Sequence, residues 1–208
     1  MFITFEGLDY SGKSTQVTRV VERLKHEGRP VLLVREPGGT EIGERIRTIL
    51  LDQKSHGMTD ISELMLFSAS RAQLVAEVVR PALGVGTVVV CDRFYDSTTA
   101  YQGWGRGIDL AAVRAINTTA TFGLVPDLTF FLDVRVDEIE RRIKESGAGK
   151  DRMEANGRGF YERIRDGYLE LVKTENRFVV IDGEKAVDVI HSEIWNCITE
   201  SLNKASTH

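Results

Sequence analysis

A glycine-rich turn near the N-terminus constrains this chain more than any other feature. Residues 7–15 are Gly-Leu-Asp-Tyr-Ser-Gly-Lys-Ser-Thr, the P-loop pattern of glycine, four residues, glycine, lysine and serine or threonine. The apolar run Phe2–Phe5 precedes the turn, and a segment with helical spacing, Gln16–Glu27, follows it. This strand–loop–helix context is the one that a P-loop requires. The N-terminal segment therefore predicts a phosphate-binding loop at the carboxyl end of a strand.

The chemistry of phosphate binding explains the spacing of the turn. Glycines let the backbone curl so that successive N–H groups point at phosphate oxygens, and the following helix adds the positive end of its dipole. We expect Lys13 to reach the β- and γ-phosphates of ATP and the Ser14 hydroxyl to bind Mg²⁺. The predicted ATP-binding residues are Gly7, Leu8, Asp9, Tyr10, Ser11, Gly12, Lys13, Ser14 and Thr15.

Further apolar runs alternate with helical segments along the rest of the chain. Such alternation predicts an α/β protein with a parallel sheet and helices on both faces. The runs are continuous, which is typical of strands buried on both sides. We therefore expect a P-loop NTPase fold with a five-stranded parallel sheet. The later strands are predicted at Val31–Val34, Val88–Cys91, Leu128–Leu132 and Phe178–Ile181, and the later helices at Ile61–Leu83, Leu110–Ala120, Val136–Lys144, Gly159–Val172 and Val187–Leu202.

Length and composition limit the organisation and the partners. A chain of 208 residues fits a single P-loop domain over 1–208, with a flexible lid segment at about 144–158, where glycines and mixed charges interrupt the helices. The net charge of −4 argues against a main role in binding nucleic acid. No run of about 18 apolar residues predicts a membrane span. Two cysteines, Cys91 and Cys197, and no signal-peptide pattern predict a cytosolic protein.

A P-loop works with an acidic side chain on a neighbouring strand, which organises the metal. Two apolar runs end in aspartate, at Asp92 and at Asp133. Arg93 follows Asp92 directly, as in a charged site, whereas a turn and a helix follow Asp133. We favour Asp92, together with Ser14, as the Mg²⁺ site. The contact is either direct or through water, because Mg²⁺ keeps much of its hydration shell.

The sequence argues against two of the classes of protein that use a P-loop. A GTPase switch has Asp-x-x-Gly after the acidic strand, but the residue three after Asp92 is Tyr95. The Asn-Lys pair at Asn203 and Lys204 is followed by Ala205, which does not fit the guanine motif Asn-Lys-x-Asp. Large ATPase machines use longer chains. The length is that of a nucleoside monophosphate kinase.

Four further segments resemble motifs of bacterial thymidylate kinases. Arg35–Thr40 resembles the family signature after the second strand, and Asp92–Phe94 resembles its Asp-Arg-aromatic motif. Phe67–Arg71 and Ala100–Gly103 are similar to other family segments, and the motifs follow in family order over nearly the whole chain. The resemblance implies a cytosolic homodimeric enzyme of dTTP biosynthesis. It would transfer the γ-phosphoryl group of Mg-ATP to dTMP, giving dTDP and ADP.

The resemblance also implies roles for residues at the acceptor phosphate. A dianionic 5′-phosphate must face the ATP γ-phosphate, and arginine suits it because the planar guanidinium binds phosphate oxygens in pairs. Arg35, Arg47 and Arg93 are the candidates, with Arg93 implied to contact phosphate and Arg47 to hold the acceptor phosphate. Glu36 is implied to orient Arg35 or a magnesium-bound water.

Other implied roles concern the nucleoside. Phe67 would stack on the base, and Arg71, on the same helix face, would donate to a thymine carbonyl. Thr98 and Gln102 would contact the polar edge of thymine, and Tyr101 would pack near the 2′ carbon of the sugar. Asp9 is implied to meet the 3′-hydroxyl group. The predicted dTMP-binding residues are Asp9, Arg35, Glu36, Arg47, Phe67, Arg71, Arg93, Thr98, Tyr101 and Gln102.

The resemblance implies a small residue or an arginine at position 10, where this chain has Tyr10, so the P-loop supplies no catalytic arginine and that charge must come from elsewhere. We expect it from the lid at Arg152, with Lys150, Arg141 and Arg142 as supporting charges. The predicted catalytic residues are Lys13, Asp92, Arg93 and Arg152. Two alternatives remain: a kinase for another nucleoside monophosphate or a deoxynucleoside, and a regulator that binds ATP without transferring phosphate.

Overall fold

The sheet of this computed structural model has five parallel strands in the order β2-β3-β1-β4-β5. The structure describes residues 1–147 and 157–205. Each predicted strand is present and is one residue longer than its apolar run. The added residue is charged in every case, so the carboxyl edge of the sheet carries a row of ionisable side chains. The strands are β1 (Phe2–Glu6), β2 (Val31–Arg35), β3 (Val88–Asp92), β4 (Leu128–Asp133) and β5 (Phe178–Asp182).

Helices connect consecutive strands. The predicted helix Ile61–Leu83 is an α-helix, a π-helical segment and a second α-helix in succession. A second π-helical segment, Thr99–Gly105, has no counterpart among the predicted elements. No helix in the described part of the chain is long and apolar enough to cross a bilayer. The helices are α1 (Lys13–His26), α2 (Glu41–Leu51), α3 (Asp60–Leu74), α4 (Arg80–Gly84), α5 (Tyr95–Thr98), α6 (Leu110–Ala120), α7 (Val136–Ser146), α8 (Arg158–Thr174) and α9 (Val187–Ala205); the other π-helical segment is Val75–Val79, and Gln53–Ser55 is a 3₁₀ turn.

Alternate side chains of the central strands enter cores on opposite faces of the sheet. Ile3 and Phe5 pack in the core formed with α1 and α9, whereas Phe2 lies in a core on the other face. The predicted arrangement of helices on both faces is confirmed. The expectation that every strand is buried on both sides is wrong for β2 and β5, because they are edge strands. Leu33 of β2 is 45% exposed and Val180 of β5 is 46% exposed.

The position of β1 at the centre of the sheet determines where the site forms. The chain leaves β1 through the P-loop, and β2 and β3 lie on one side of β1 while β4 and β5 lie on the other. Ligands of open α/β sheets bind at the carboxyl ends of strands beside such a reversal of strand order. Gly12, at the end of the loop, has φ of 95°, a left-handed conformation that favours glycine before α1 begins.

Helix α8 packs closely against the π-helical segment Thr99–Gly105. A Cβ atom on Gly167 would lie 2.6 Å from Cγ of Trp104, so only glycine allows this approach. Gly105 meets the ring of Phe160 in the same way, since a Cβ there would lie 2.7 Å from Cε2. The two glycines therefore set the distance between α8 and the segment that carries Tyr101 and Gln102.

We expect Gly167→Ala to destabilise the fold, because the new methyl group overlaps the Trp104 ring. Overpacking of this kind costs about 1–3 kcal/mol. The matched control is Gly159→Ala on the same helix, where the new Cβ meets only a side-chain atom of Arg163 at 3.7 Å. The control should lose no stability and should gain at most about 1 kcal/mol from helix propensity. Urea unfolding measures both variants, and equal stability of the two would contradict this account of the packing.

Candidate active site

A cavity of about 550 Å³ opens at the carboxyl ends of β1, β2 and β3. The P-loop, α2, α3, α5 and the π-helical segment Thr99–Gly105 form its walls. Five cationic and three carboxylate side chains line it, so the cavity is cationic in a chain of net charge −4. All ten residues predicted for dTMP lie on its surface: Asp9, Arg35, Glu36, Arg47, Phe67, Arg71, Arg93, Thr98, Tyr101 and Gln102.

Most of the predicted phosphate loop also borders this cavity. Three members, Gly7, Leu8 and Ser11, lie outside the lining and shape the loop from behind. A Cβ on Gly7 would lie 2.7 Å from the carbonyl oxygen of Leu132, which explains the need for glycine beside β4. The loop residues on the cavity surface are Asp9, Tyr10, Gly12, Lys13, Ser14 and Thr15.

Lys13 is buried at the start of α1. Its Nζ donates a hydrogen bond to the carbonyl oxygen of Leu8 at 2.6 Å. Burial and the positive charge of Arg93 lower the pKa of Lys13 from 10.5 to about 8, against the opposing effect of Asp9. An anionic phosphate beside Nζ would favour the charged form, so the site is suited to a ligand that brings negative charge.

Ser14 and Asp92 meet where the sequence predicts a metal. The Ser14 hydroxyl donates to Oδ2 of Asp92 at 2.8 Å, joining α1 to the end of β3. A hydroxyl and a carboxylate are the hard oxygen donors that Mg²⁺ prefers, so this donor pair fits the ion. The described residues contain no group of three or more His, Cys, Asp or Glu side chains that could hold a metal. Nucleotide phosphates and water would therefore have to complete the coordination.

Arg93 connects the segment after β3 to the P-loop. Its backbone has φ of 71°, in the left-handed region that a non-glycine residue adopts at a cost of about 1–3 kcal/mol. Its guanidinium donates to the carbonyl oxygen of Gly7 at 2.8 Å, to Asp9 at 2.6 Å and to the Tyr101 hydroxyl at 3.2 Å. Burial opposes ionisation of Asp9, but the charges of Arg93 and Lys13 lower its pKa below 3.8. Asp9 therefore enters the site as a carboxylate.

Glu6, the last residue of β1, is a buried carboxylate that the site prediction missed. It accepts hydrogen bonds from the Phe94 backbone N–H at 2.7 Å, the Ser97 hydroxyl at 2.6 Å and the Tyr168 hydroxyl at 2.8 Å. Ser97 in turn accepts from Arg93 at 3.0 Å. Burial, followed by the charge of Asp96, raises the pKa of Glu6 from 4.5 to about 7. An acidic residue at the end of a central apolar strand was the available signal in the sequence.

Arg71, on α3, is fully buried and has three side-chain partners. Its Nε donates to Glu36 at 2.7 Å, Nη1 to Asn117 at 3.0 Å and Nη2 to Thr98 at 2.8 Å. Glu36 therefore pairs with Arg71 and not with Arg35, one of the two partners that the resemblance implied. The other, a magnesium-bound water, stays a prediction. Burial raises the pKa of Glu36 to about 7, even though Arg71 opposes the shift.

Arg35 and Arg47 are held by α2 and by the loop after β2. Arg35 donates twice to Glu44, with distances of 3.1 and 3.0 Å, and Glu44 also accepts from the Gly39 N–H at 2.8 Å. Arg47 donates to the carbonyl oxygen of Pro37 at 3.0 Å. Both arginines lie on the cavity surface, as predicted for ligands of the acceptor phosphate.

The structure divides the predicted lid charges into three groups. Arg152 and Lys150 lie outside the described residues. Arg141 is exposed and forms ion pairs with Glu138 and Glu145. Arg142 also pairs with Glu138, at 2.7 Å, and in addition donates to the carbonyl oxygens of Tyr10 at 3.2 Å and Gly183 at 2.9 Å. Arg142 thus supports the P-loop from the side of the loop after β5.

Fold and cavity together define the class of protein. A P-loop with its lysine and an arginine-lined pocket open into the same cavity, an arrangement suited to two phosphate-bearing ligands facing each other. This is the architecture of a P-loop nucleotide kinase.

Comparisons with known proteins identify the family. The Thymidylate kinase family model matches residues 5–194. Thymidylate kinase of Chlorobium luteolum is 48% identical over 99% of this chain and 100% of its own length, and that of Thermosipho melanesiensis is 47% identical over 98% and 100%. A crystal structure of thymidylate kinase from Ehrlichia chaffeensis has a TM-score of 0.77 and 35% identity, covering 96% of this chain and 98% of that one. The chain belongs to the thymidylate kinase family.

The raised pKa of Glu6 predicts how stability depends on pH. The folded chain binds this proton more tightly than the unfolded chain, so the linked stabilisation is complete below pH 4.5 and is lost as pH rises through about 7. We expect the unfolding free energy of the wild type minus that of Glu6→Gln to fall by up to about 3 kcal/mol between about pH 5 and pH 8. Urea unfolding at both pH values measures it. The exposed Glu22→Gln variant on α1 serves as the control, and a pH-independent difference for Glu6→Gln would contradict the assignment.

Proposed function

We infer that this protein is a thymidylate kinase, which transfers the γ-phosphoryl group of ATP to dTMP and gives dTDP and ADP. The observation that carries the inference is the shared cavity, which is lined by the P-loop together with the side chains of Arg47, Phe67, Arg71 and Gln102. Membership of the family supports the same reaction.

We propose that the P-loop binds the phosphates of ATP and that Arg93 lies between the two nucleotides. Arg93 is held by Gly7 and Asp9 of the P-loop and by Tyr101 of the opposite wall. Arg35 and Arg47 would bind the acceptor phosphate at the cavity mouth, and Asp9 would accept a hydrogen bond from the 3′-hydroxyl of dTMP. These side chains would orient the two nucleotides and neutralise their charge. The γ-phosphoryl group would pass directly from ATP to the phosphate of dTMP.

We propose that Ser14 and Asp92 hold Mg²⁺ together with the ATP phosphates. The bound ion would neutralise charge on the β- and γ-phosphate oxygens. The 2.8 Å contact between the Ser14 hydroxyl and Asp92 supports this placement, since both oxygens lie at the entrance of α1 where the phosphates would bind.

We also propose an oligomeric state and a cellular location for the enzyme. A homodimer is supported by four apolar side chains that are about half exposed on two helices in contact: Ile42, Ile49, Ile61 and Met65. A single P-loop kinase domain over the whole chain agrees with the continuous sheet. The cytosolic location and the lid role of Arg152 stay predictions.

The decisive experiment is a panel of acceptors. We expect the purified protein with ATP and Mg²⁺ to phosphorylate dTMP with a kcat/KM well above that for dCMP, AMP or thymidine, measured by release of ADP. Preference for another monophosphate or for a deoxynucleoside would replace the substrate assignment. Binding of one nucleotide per chain and no transfer to any acceptor would instead support an ATP-binding regulator.

Lys13→Ala tests the P-loop assignment. Removing the ammonium group that neutralises transferring phosphate should lower kcat/KM for ATP by at least about 100-fold. Lys25→Ala is the matched control, because Lys25 is an exposed lysine of the same helix. Steady-state kinetics with circular dichroism as a folding check measures both. Equal activity of the two variants would remove Lys13 from the mechanism.

A further inference from the structure

Gln102 contacts a buried acidic residue outside the cavity lining. Its side-chain Nε2 donates to Oε1 of Glu63 at 2.8 Å. Glu63 is 1% exposed and lies in the first turn of α3, whereas Gln102 belongs to the π-helical segment Thr99–Gly105. Arg106 donates to both oxygens of Glu63, through Nε and Nη2 at 3.2 Å each. Two parallel N–H···O bonds of this kind are the geometry with which arginine binds a carboxylate.

The chemistry of a carboxylate fixes which way the Gln102 amide points. An ionised carboxylate only accepts hydrogen bonds, so the amide NH₂ must face Glu63 and the amide oxygen must be the other end of the group. Gln102 lines the cavity, and its Oε1 accepts no hydrogen bond from the described residues. A terminal amide otherwise turns over readily, because its last torsion has a broad, two-fold preference. The contact with Glu63 therefore leaves Oε1 of Gln102 as a hydrogen-bond acceptor for a ligand in the cavity.

Neighbouring contacts keep the backbone of this segment in place. The Arg106 N–H donates to the Tyr101 carbonyl oxygen at 2.9 Å, which is the wide i to i+5 turn of a π-helix. The Arg106 guanidinium also lies over the ring of Phe160 on α8, 4.7 Å from its centre. Arg163 of α8 donates twice to the Gly105 carbonyl oxygen, at 3.1 and 3.0 Å. The segment is thus attached to α3 and α8 at once.

Arg71 supplies the opposite polarity in the same cavity. A guanidinium has five N–H groups, and Arg71 gives one each to Glu36, Asn117 and Thr98. One N–H on each terminal nitrogen remains for a ligand. The cavity therefore presents a donor from Arg71 and an acceptor from Gln102.

We propose that Glu63 is a specificity-determining positioning residue, which holds the Gln102 amide so that its oxygen accepts from N3–H of thymine. The proposal rests on the proposed function. Thymine offers a donor at N3–H and an acceptor at O4, which match Gln102 and Arg71. Cytosine has the reverse polarity at both positions, with an acceptor at N3 and an amino group at C4. A site built to hydrogen-bond its substrate rejects such an analogue because buried groups stay unpaired.

The test compares dTMP and dCMP in Glu63→Gln. An amide at position 63 has both a donor and an acceptor, so Gln102 can turn over and present its NH₂ group to the base. We expect the ratio of kcat/KM for dTMP to that for dCMP to fall by about 10- to 100-fold. The KM for ATP should change little. The ratio of dissociation constants for dTMP and dCMP, measured by calorimetry without ATP, should fall in parallel.

Two further variants protect the test against a loss of folding. Glu63→Leu removes the carboxylate that accepts from the Gln102 NH₂ group and should also lower the ratio. It therefore replaces Glu63→Gln in the test if that variant does not purify. Leu64→Ala removes core packing from the same turn of α3 without a polar contact, and it should keep the wild-type ratio despite a lower melting temperature.

The outcomes separate this proposal from the proposed function. If the wild type prefers dTMP and both Glu63 variants keep its dTMP-to-dCMP ratio, the positioning role is wrong and the kinase assignment stands. A fall in the ratio for Leu64→Ala equal to that for Glu63→Gln would assign the effect to stability and would also overturn the role. If the wild type phosphorylates no thymidylate, the proposed function itself fails.

Discussion

The contact between Arg93 and the P-loop is the interaction on which the rest of the site depends. It joins the chain after β3 to the turn after β1, through the Gly7 carbonyl oxygen and the Asp9 carboxylate. The left-handed backbone conformation of Arg93 is energetically costly. A hydrogen bond from the Arg93 N–H to the Phe5 carbonyl oxygen, at 3.0 Å, helps to hold it. The Tyr101 hydroxyl also donates to Asp9, at 3.1 Å, and Ser14 donates to Asp92, so several contacts join these parts of the cavity wall. The sheet would therefore set the distance between the two phosphates that we propose bind here. A rigid spacing is what in-line transfer requires.

Burying so many charges would be unfavourable without partners, and the structure supplies them in layers. Arg71 forms an ion pair with Glu36, and Arg93 forms one with Asp9. Arg93 also donates to the Ser97 hydroxyl, which in turn donates to Glu6. Each pair keeps a guanidinium in place before any substrate arrives. The cationic groups still outnumber the carboxylates on the cavity surface, so anionic ligands are attracted into a site that is already organised.

The strands and the P-loop could be predicted from the sequence because their signals are local: apolar runs, glycine spacing and a following helix. The ten residues predicted for dTMP came from resemblance. Four of them lie at or just after the carboxyl ends of β1, β2 and β3, and the other six lie on α2, α3, α5 and the π-helical segment that close over the same edge of the sheet. Pairings between distant segments were not predictable. Glu36 pairs with Arg71, 35 residues away, and not with its neighbour Arg35. The roles of Glu6 and Glu63 were missed for the same reason, since a buried acid is recognised only by the donors that folding brings to it.

The π-helical segment shows how an irregular backbone can serve recognition. Its wide turn places the consecutive residues Tyr101 and Gln102 on the same cavity surface, and such turns, although rare in proteins, are frequent at functional sites. The segment is held by contacts with other elements, including the close approach of α8 at Gly105, the hydrogen bonds from Arg163 and the hydrogen bond from Gln102 to Glu63. Gly103 and Gly105, poor helix formers, explain why sequence propensity assigned no helix there. If Gln102 contacts the base as proposed, base selectivity is a property of tertiary packing, because the orientation of the Gln102 amide is set by Glu63, which lies outside the cavity lining.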